Sequence, residues 1–202
     1  MSELVDKLAD LLAAPDRTWR VRGDHDLNPE FADAHSRLRE AAVLALIVDT
    51  PPAPRLVLTQ RTAHLSAHAG QISMPGGRLE PEDASPEVCA LRETQEEIGV
   101  PPDAVSLIGR LDTYITRTGF RVTPVVGVAG EDLHYLRDAF EVDEVFEVPL
   151  AHFLAPDSLR TDERYLLGKT RRFFSFPYGD YYIWGATAGM LVNLRELLGV
   201  SC

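Results

Sequence analysis

The chain has 202 residues, of which 45% are hydrophobic and 25% are charged, a composition typical of a globular protein with one sizeable core. Its formal net charge is −11. Nucleic-acid binding needs clustered Lys and Arg, so this balance disfavours a nucleic-acid partner, and an anionic small molecule would have to be attracted by a local basic pocket.

The chain begins with a segment that we interpret as an N-terminal extension. Residues 1–6 lack the basic and apolar regions of a secretion signal. Leucines between positions 4 and 12 share one helical face, and this helix should end before Pro15. Residues 16–30 are polar and are interpreted as a loop. We therefore predict a single domain over residues 1–202, with an extension over 1–39 and a core over about 40–198.

Two strands are predicted next. The apolar run 41–48 has the length of a buried central strand and is far too short to span a membrane. A turn over 50–54 separates it from a second strand over 55–60, which should lie antiparallel to the first. Residues 62–73 are interpreted as a loop.

A short acidic helix with well-defined ends follows this loop. Ser85 can act as its N-cap, and Pro86 suits the first helical position. Gly99 can adopt the left-handed conformation that ends a helix, and Pro101 and Pro102 prevent its continuation. These limits predict a helix of roughly 13 residues, about 20 Å long.

The rest of the chain alternates strands and helices. In chain order, the predicted elements are strands over 105–115 and 121–128 joined as a hairpin, a strand over 142–148, a short helix over 149–154, aromatic-rich strands over 165–167, 172–176 and 181–184, and a final helix over 187–198. Helices before, between and after mixed strands indicate an α/β fold, an α/β/α sandwich with a mixed β-sheet.

The acidic helix carries a cluster of carboxylates on one face. Glu93 and Glu97 are four positions apart, and Glu96 lies on the neighbouring edge of that face. Like charges at this spacing destabilise a helix unless a cation binds them, and Mg²⁺ or Mn²⁺ takes oxygen ligands of this kind. Arg92 is placed to hold the Glu96 carboxylate. The alternative is a solvated acidic face with no ligand.

These residues resemble the Nudix box, whose second half reads Arg-Glu-apolar-x-Glu-Glu-x-Gly-apolar. The matching positions are Arg92, Glu93, Glu96, Glu97, Gly99 and Val100. Thr94 departs from the usual aliphatic residue. Asp83 stands where the pattern has Glu, and the segment from Gly77 to Arg92 is one residue longer than usual. The resemblance implies a Nudix-type sandwich and metal-dependent hydrolysis of a diphosphate bond linked to a nucleoside.

The upstream segment 58–77 resembles the extra signature of the coenzyme A diphosphatase branch of that family. The positions that match are Arg61, Leu65, His68 and Gly70, followed by Pro75, Gly76 and Gly77. The resemblance covers about residues 40–198. It implies hydrolysis of coenzyme A or its thioesters to 3′,5′-ADP and (acyl) 4′-phosphopantetheine. Alternatives are the same chemistry on NADH, ADP-ribose or a dNTP, or a nucleotide-binding module without turnover.

Several further residues are candidates for the site. Glu141 is a candidate general base by resemblance, beside Glu96 and Arg92, although the spacing does not say which glutamate accepts the proton. Gly76 and Gly77 could let the backbone approach a diphosphate, or could form an ordinary tight turn. Arg61 could clamp a phosphate or could form a structural salt bridge. His68 could contact the substrate or could pack in the loop. Four aromatic residues could stack on adenine, but we favour core positions for them: Tyr178, Tyr181, Tyr182 and Trp184.

The two cysteines, Cys89 and Cys202, have no spacing typical of disulfides or metal sites, which favours free thiols in a reducing compartment. We therefore expect a cytoplasmic protein without membrane attachment. The resemblance implies an enzyme that acts on a coenzyme A-like small molecule, and we expect a monomer or homodimer.

Overall fold

A computed structural model of the chain describes residues 1–31, 37–63, 70–166 and 168–200. Its helices are α1 (Glu3–Ala13), α2 (Pro86–Ile98), α3 (Leu150–Leu154) and α4 (Ala186–Leu197). Its strands are β1 (Val21–Gly23), β2 (Arg39–Val48), β3 (Arg55–Arg61), β4 (Ile72–Ser73), β5 (Gly76–Arg78), β6 (Ser106–Arg110), β7 (Thr113–Ile115), β8 (Phe120–Ala129), β9 (Val142–Pro149), β10 (Arg160–Leu166), β11 (Lys169–Tyr178) and β12 (Tyr181–Trp184).

Strands β1 to β9 form one mixed sheet within the described ranges. Its central path runs β1-β7-β8-β2-β3-β4, and β5, β6 and β9 pair with β2, β8 and β3. Strand β2 runs parallel to β8 along its whole length and antiparallel to β3, as predicted. The pairing with β3 covers Ile47 and Val48, and β5 pairs with Ala41 to Val43. The sequence of β2 is continuously apolar rather than alternating because both of its faces are buried.

Helices cover both faces of this sheet. Successive residues of β2 point to opposite sides, so Leu44 and Leu46 pack with Cys89 and Ile98 of α2 in one cluster. Ala45 and Ile47 pack in the other cluster, which contains Leu8 of α1 and Leu191 of α4. The α/β/α sandwich with a mixed sheet is thereby confirmed.

A second, antiparallel sheet consists of β10, β11 and β12. Its strands are longer than the aromatic-rich segments that the sequence predicted, since the register of β10 and β11 runs from Arg160 opposite Ser175 to Leu166 opposite Lys169. Phe176 and Ile183 point into the main core and are fully buried. The opposite face of this sheet borders the cavity described below.

The predicted loops 16–30 and 62–73 are wrong in part, because they contain β1 and β4. Both strands are too short to show an apolar pattern and exist because a neighbouring strand pairs with them. The predicted strand 105–115 is also wrong as one element. It is interrupted at Leu111 and Asp112, where the Asp112 N–H leaves the ladder and donates to the buried Asn193 side chain at 3.0 Å.

Among the described residues, none of the helices has the length and apolarity that crossing a lipid bilayer requires.

Candidate active site at the acidic helix

Helix α2 has the predicted boundaries, and these fix the orientation of its acidic face. The Ser85 hydroxyl accepts a hydrogen bond from the Val88 N–H at 3.4 Å. At the other end, Gly99 adopts φ +73° and its N–H donates to the Gln95 carbonyl. Cys89 is fully buried against the sheet, and burial raises the pKa of its thiol to about 12, so it is a packing residue. Cys89 and Glu93 are four positions apart on α2, and both lie beside Gly77 of β5.

Glu97 is the most enclosed of the helix carboxylates, at 4% exposure. The Gly76 N–H donates to its Oε2 at 3.3 Å, and Arg61 Nη1 lies 3.5 Å from its Oε1. Burial raises the pKa of Glu97 to about 8, although the Gly76 N–H and Arg61 act in the opposite direction. An additional cation beside this carboxyl group would stabilise its ionised form at neutral pH.

Glu93 lies against the backbone of Gly77. A Cβ atom on residue 77 would lie 2.4 Å from Cδ of Glu93 and 2.5 Å from each of its carboxylate oxygens. Burial raises the pKa of Glu93 above its usual value. The glycine is thus required because the Glu93 carboxylate occupies the space that a side chain would take.

Gly76 is required for a different reason. It has φ +149°, and a Cβ atom there would lie 2.4 Å from the Ala42 carbonyl oxygen of β2. The predicted Pro-Gly-Gly turn is therefore partly a strand, since Gly76 and Gly77 pair with Val43 and Ala42. Contact of these glycines with a diphosphate remains a prediction.

Arg92 connects the acidic residues on the outer side of the helix. It forms two hydrogen bonds to Asp83, at 3.0 and 2.9 Å, and contacts Glu93 at 3.0 Å. It also donates to Glu96 at 2.9 Å, as the spacing predicted, and the Glu96 side chain is 59% exposed. Asp83 is only 2% exposed in its side chain, and Arg92 lowers its pKa to about 2. The sequence alone did not assign a role to Asp83. Its acidic side chain in the lengthened segment before α2 was the one indication that it could pair with Arg92.

Arg61 lies between two carboxylates. Besides its contact with Glu97, its Nη2 is 3.7 Å from Oε2 of Glu141, whose side chain is 44% exposed. Glu141 is held in place through the backbone, because its carbonyl accepts the Thr62 N–H at 3.0 Å. The segment after β3 and the segment before β9 therefore meet beside α2.

The prediction that the four aromatic candidates are core residues is wrong in part. Tyr178 and Tyr181 pack against the main core, whereas Tyr182 is 41% exposed. His68 lies outside the described residues. The ring of Tyr181 stacks on Phe146 at 3.8 Å, and the Tyr182 hydroxyl donates to Asp162. Trp184 instead lines a cavity, beside Phe173.

This cavity, of about 460 Å³, adjoins the carboxylate cluster. Arg61 and Gly76 border it from the side of the cluster, and residues of the small sheet border it from the other side. A substrate of the size of a nucleotide can therefore extend from the glutamates into the cavity.

The donor chemistry of the cluster fits a hard divalent cation. Within the described ranges, no three acidic, His or Cys side chains already surround a common point. Mg²⁺ usually takes one or two protein carboxylates and completes its shell with waters and substrate phosphates. Glu93 and Glu97 supply that number of carboxylates, and both are raised in pKa by burial, as expected of groups that a cation would stabilise in their charged form.

Comparison with known proteins identifies relatives over most of the chain. The family described as NUDIX domain matches residues 38–172. Proteins from Escherichia coli K12 and Shigella flexneri, each named uncharacterized Nudix hydrolase NudL, are 42% identical over 175 residues, which cover 87% of this chain and 91% of theirs. Among solved structures, the Nudix hydrolase RenU of M. smegmatis is 24% identical with a TM-score of 0.49, over 58% of this chain and 74% of that protein. A MutT/nudix family protein from Enterococcus faecalis is 17% identical with a TM-score of 0.48, over 82% of this chain and 61% of its own.

Proposed function

This chain belongs to the Nudix hydrolase family, and we propose that it hydrolyses the diphosphate bond of coenzyme A or its thioesters, releasing 3′,5′-ADP and (acyl) 4′-phosphopantetheine. Family membership gives the reaction class, hydrolysis of a nucleoside diphosphate derivative with a divalent metal ion. The choice of coenzyme A, of Mg²⁺ or Mn²⁺ as the ion, and of the acting residues is our proposal.

The observation that carries the proposal is the convergence of two sequence motifs on one carboxylate. Arg61 and Gly76 belong to the upstream segment that resembles the coenzyme A diphosphatase signature, whereas Glu97 belongs to the acidic helix. Both upstream residues contact Glu97, at 3.5 and 3.3 Å. The upstream segment thus borders the proposed reaction centre and can influence which diphosphate is accepted there.

Each residue has a distinct task in this proposal. Glu93 and Glu97 would hold the metal ion, and Glu96 would be a further ligand. When bound, the ion neutralises charge on the phosphate oxygens and lowers the pKa of the attacking water. Arg92, anchored by Asp83, keeps Glu93 and Glu96 in position.

The remaining residues act on the substrate and the water. The water oxygen bonds to one phosphorus, the bridging P–O bond breaks, and the water's proton passes to a base, for which Glu141 is our candidate. Arg61 contacts Glu97 and Glu141 at 3.5 and 3.7 Å, so a substrate phosphate can compete for its guanidinium. His68 is the further candidate for substrate binding. As predicted from the sequence, we place the enzyme in the cytoplasm, as a monomer or homodimer.

Product analysis tests the proposal. The purified protein is incubated with coenzyme A, NADH, ADP-ribose and a dNTP, with Mg²⁺ and separately with Mn²⁺, and the products are identified by mass spectrometry. We expect 3′,5′-ADP and phosphopantetheine from coenzyme A, and far less of both products from the Glu97→Gln variant in the same time. Cleavage of the other compounds without cleavage of coenzyme A would refute the substrate assignment. Cleavage of none of them would favour a binding module.

A further inference from the structure

The cavity beside the carboxylates contains an unusual pair of arginines. Arg164 of β10 lies directly opposite Arg171 of β11 in the antiparallel register, so both side chains are on the same face of the small sheet. Both residues line the cavity that also contacts Arg61 and Gly76. Like charges directly opposite each other destabilise a β-ladder, and nothing in the folding of this sheet requires them.

Arg171 is incompletely satisfied by the protein. Its Nε and Nη1 atoms are buried and have no hydrogen-bond partner in the described part of the chain. The carboxylate of Glu30 lies 3.6 Å from Nη1, beyond hydrogen-bond distance. Buried donors of a charged group are costly when unpaired, so this guanidinium is suited to an anion that enters from the cavity.

The neighbouring pair on the other face behaves differently. Arg172 is directly opposite Glu163 and forms an ion pair with it at 2.8 Å. Arg172 also borders the cavity, but Glu163 neutralises its charge, whereas Arg164 and Arg171 face each other with no cross-strand glutamate. Among the described residues, five arginines and one aspartate line the cavity, so it is locally basic in a protein of net charge −11.

Aromatic rings accompany the two arginines. Trp184 and Phe173 are in edge contact at 5.2 Å between ring centres, and the Arg164 guanidinium lies 5.4 Å from the Trp184 ring. The Arg171 guanidinium lies 4.2 Å from the ring of Phe31. Flat apolar surfaces beside guanidinium donors match a ligand that has a heterocyclic base and a phosphate.

We propose that Arg164 and Arg171 bind a phosphate monoester of the substrate that lies outside the cleaved diphosphate, and that Trp184 and Phe173 contact the nucleotide base. This inference rests on the proposed function, since coenzyme A carries such a phosphate on its ribose. The enzyme then distinguishes nucleotides with a ribose phosphate from those without one.

Two substrates that share the same diphosphate bond provide the kinetic test, namely coenzyme A and 3′-dephospho-coenzyme A. We expect wild type to favour coenzyme A in kcat/KM by at least about tenfold. Arg171→Met and Arg164→Met should each lower kcat/KM for coenzyme A by about tenfold and change that for the dephospho compound less than about twofold. Arg121→Met is the control, since Arg121 of β8 is an exposed arginine paired with Glu40 and does not line the cavity, and it should change neither.

A binding measurement separates this inference from the proposed function. In a Trp19→Phe background, Trp184 is the remaining tryptophan of the two in the chain, and its fluorescence reports ligand binding. Adenosine 3′,5′-bisphosphate should quench it with at least about tenfold higher affinity than AMP, and Arg171→Met should abolish the difference.

The outcomes are distinct. Equal affinities for the two nucleotides, or equal losses on both substrates in Arg171→Met and Arg164→Met, would overturn the phosphate site even if coenzyme A is cleaved. A preference for the bisphosphate that depends on Arg171 would support the site even if coenzyme A is not cleaved, and the proposed function would then fail alone. Thermal unfolding of each variant confirms that it is folded.

Discussion

Glu97 combines deep burial with two long contacts, an N–H at 3.3 Å and a guanidinium at 3.5 Å. A carboxylate in this position is costly to the free protein, and a bound cation would offset that cost.

We expect Glu97→Gln to retain the fold but to lower kcat about a hundredfold or more, because the amide cannot supply the negative charge. Steady-state kinetics on the cleaved substrate measures this. Glu82→Gln, in the exposed loop before the helix, is the control, and a loss below about tenfold would rule out Glu97 as a ligand.

Gly77 makes a second prediction at this scale, because the Glu93 carboxylate fills the place of its missing side chain. We expect Gly77→Ala to displace Glu93 and to reduce kcat/KM at least about tenfold, while circular dichroism stays that of a folded protein. Gly130→Ala is the matched control, since a Cβ atom at Gly130 would meet nothing within 4 Å. Unchanged activity in Gly77→Ala would show that Glu93 can move without loss.

The ion pair of Asp83 with Arg92 predicts a pH effect on stability. Arg92 lowers the pKa of Asp83 from 3.8 to about 2, so the folded state holds this group ionised where the unfolded state protonates it. Its contribution to the free energy of unfolding is complete above about pH 4 and declines as the pH falls through about 2. Urea unfolding between pH 2 and 6 should therefore show a shallower pH dependence for Asp83→Asn than for wild type. Identical slopes would contradict this assignment.

At the scale of elements, α4 approaches the main sheet so closely that it needs a glycine. A Cβ atom on Gly189 would lie 2.4 Å from Cε2 and 2.5 Å from the hydroxyl of Tyr114 in β7. The Tyr114 hydroxyl also donates to Asp24 at 2.8 Å, so the ring cannot move without losing this bond. We expect Gly189→Ala to lower the free energy of unfolding by about 1–3 kcal/mol, by overpacking. Thermal and urea unfolding, with Gly130→Ala as reference, measure the change, and a variant as stable as wild type would show that α4 can shift.

The elements also show which parts of the fold can be predicted from the local sequence. Helix α2 could be predicted to the residue because Ser85, Pro86 and Gly99 act within one turn of its ends. Strands β1 and β4 could not, because each consists of two or three residues that become extended only through pairing with β7 and β3. The break at Asp112 depends on Asn193, far away in the chain, and has no local signal.

For the whole molecule, the candidate site follows the same rule. The proximity of Glu93 and Glu97 could be predicted from helical spacing, and so could the contact of Arg92 with Glu96. The role of Gly77, the pairing of Asp83 with Arg92 and the place of Arg61 between Glu97 and Glu141 depend on how loops from different elements meet. The opposition of Arg164 and Arg171 depends on strand register, which no local pattern around these residues specified.

The parallel pairing of β2 with β8 has a consequence for biosynthesis. Val48 pairs with Ala129, so β2 cannot form this pairing until β3 to β7 and the acidic helix have also been translated and have left the ribosome. During that interval an apolar segment with unpaired backbone groups is open to chaperones and to other nascent chains. The site between β2, β5 and α2 is accordingly assembled late, when the chain beyond residue 129 is available to close the sheet.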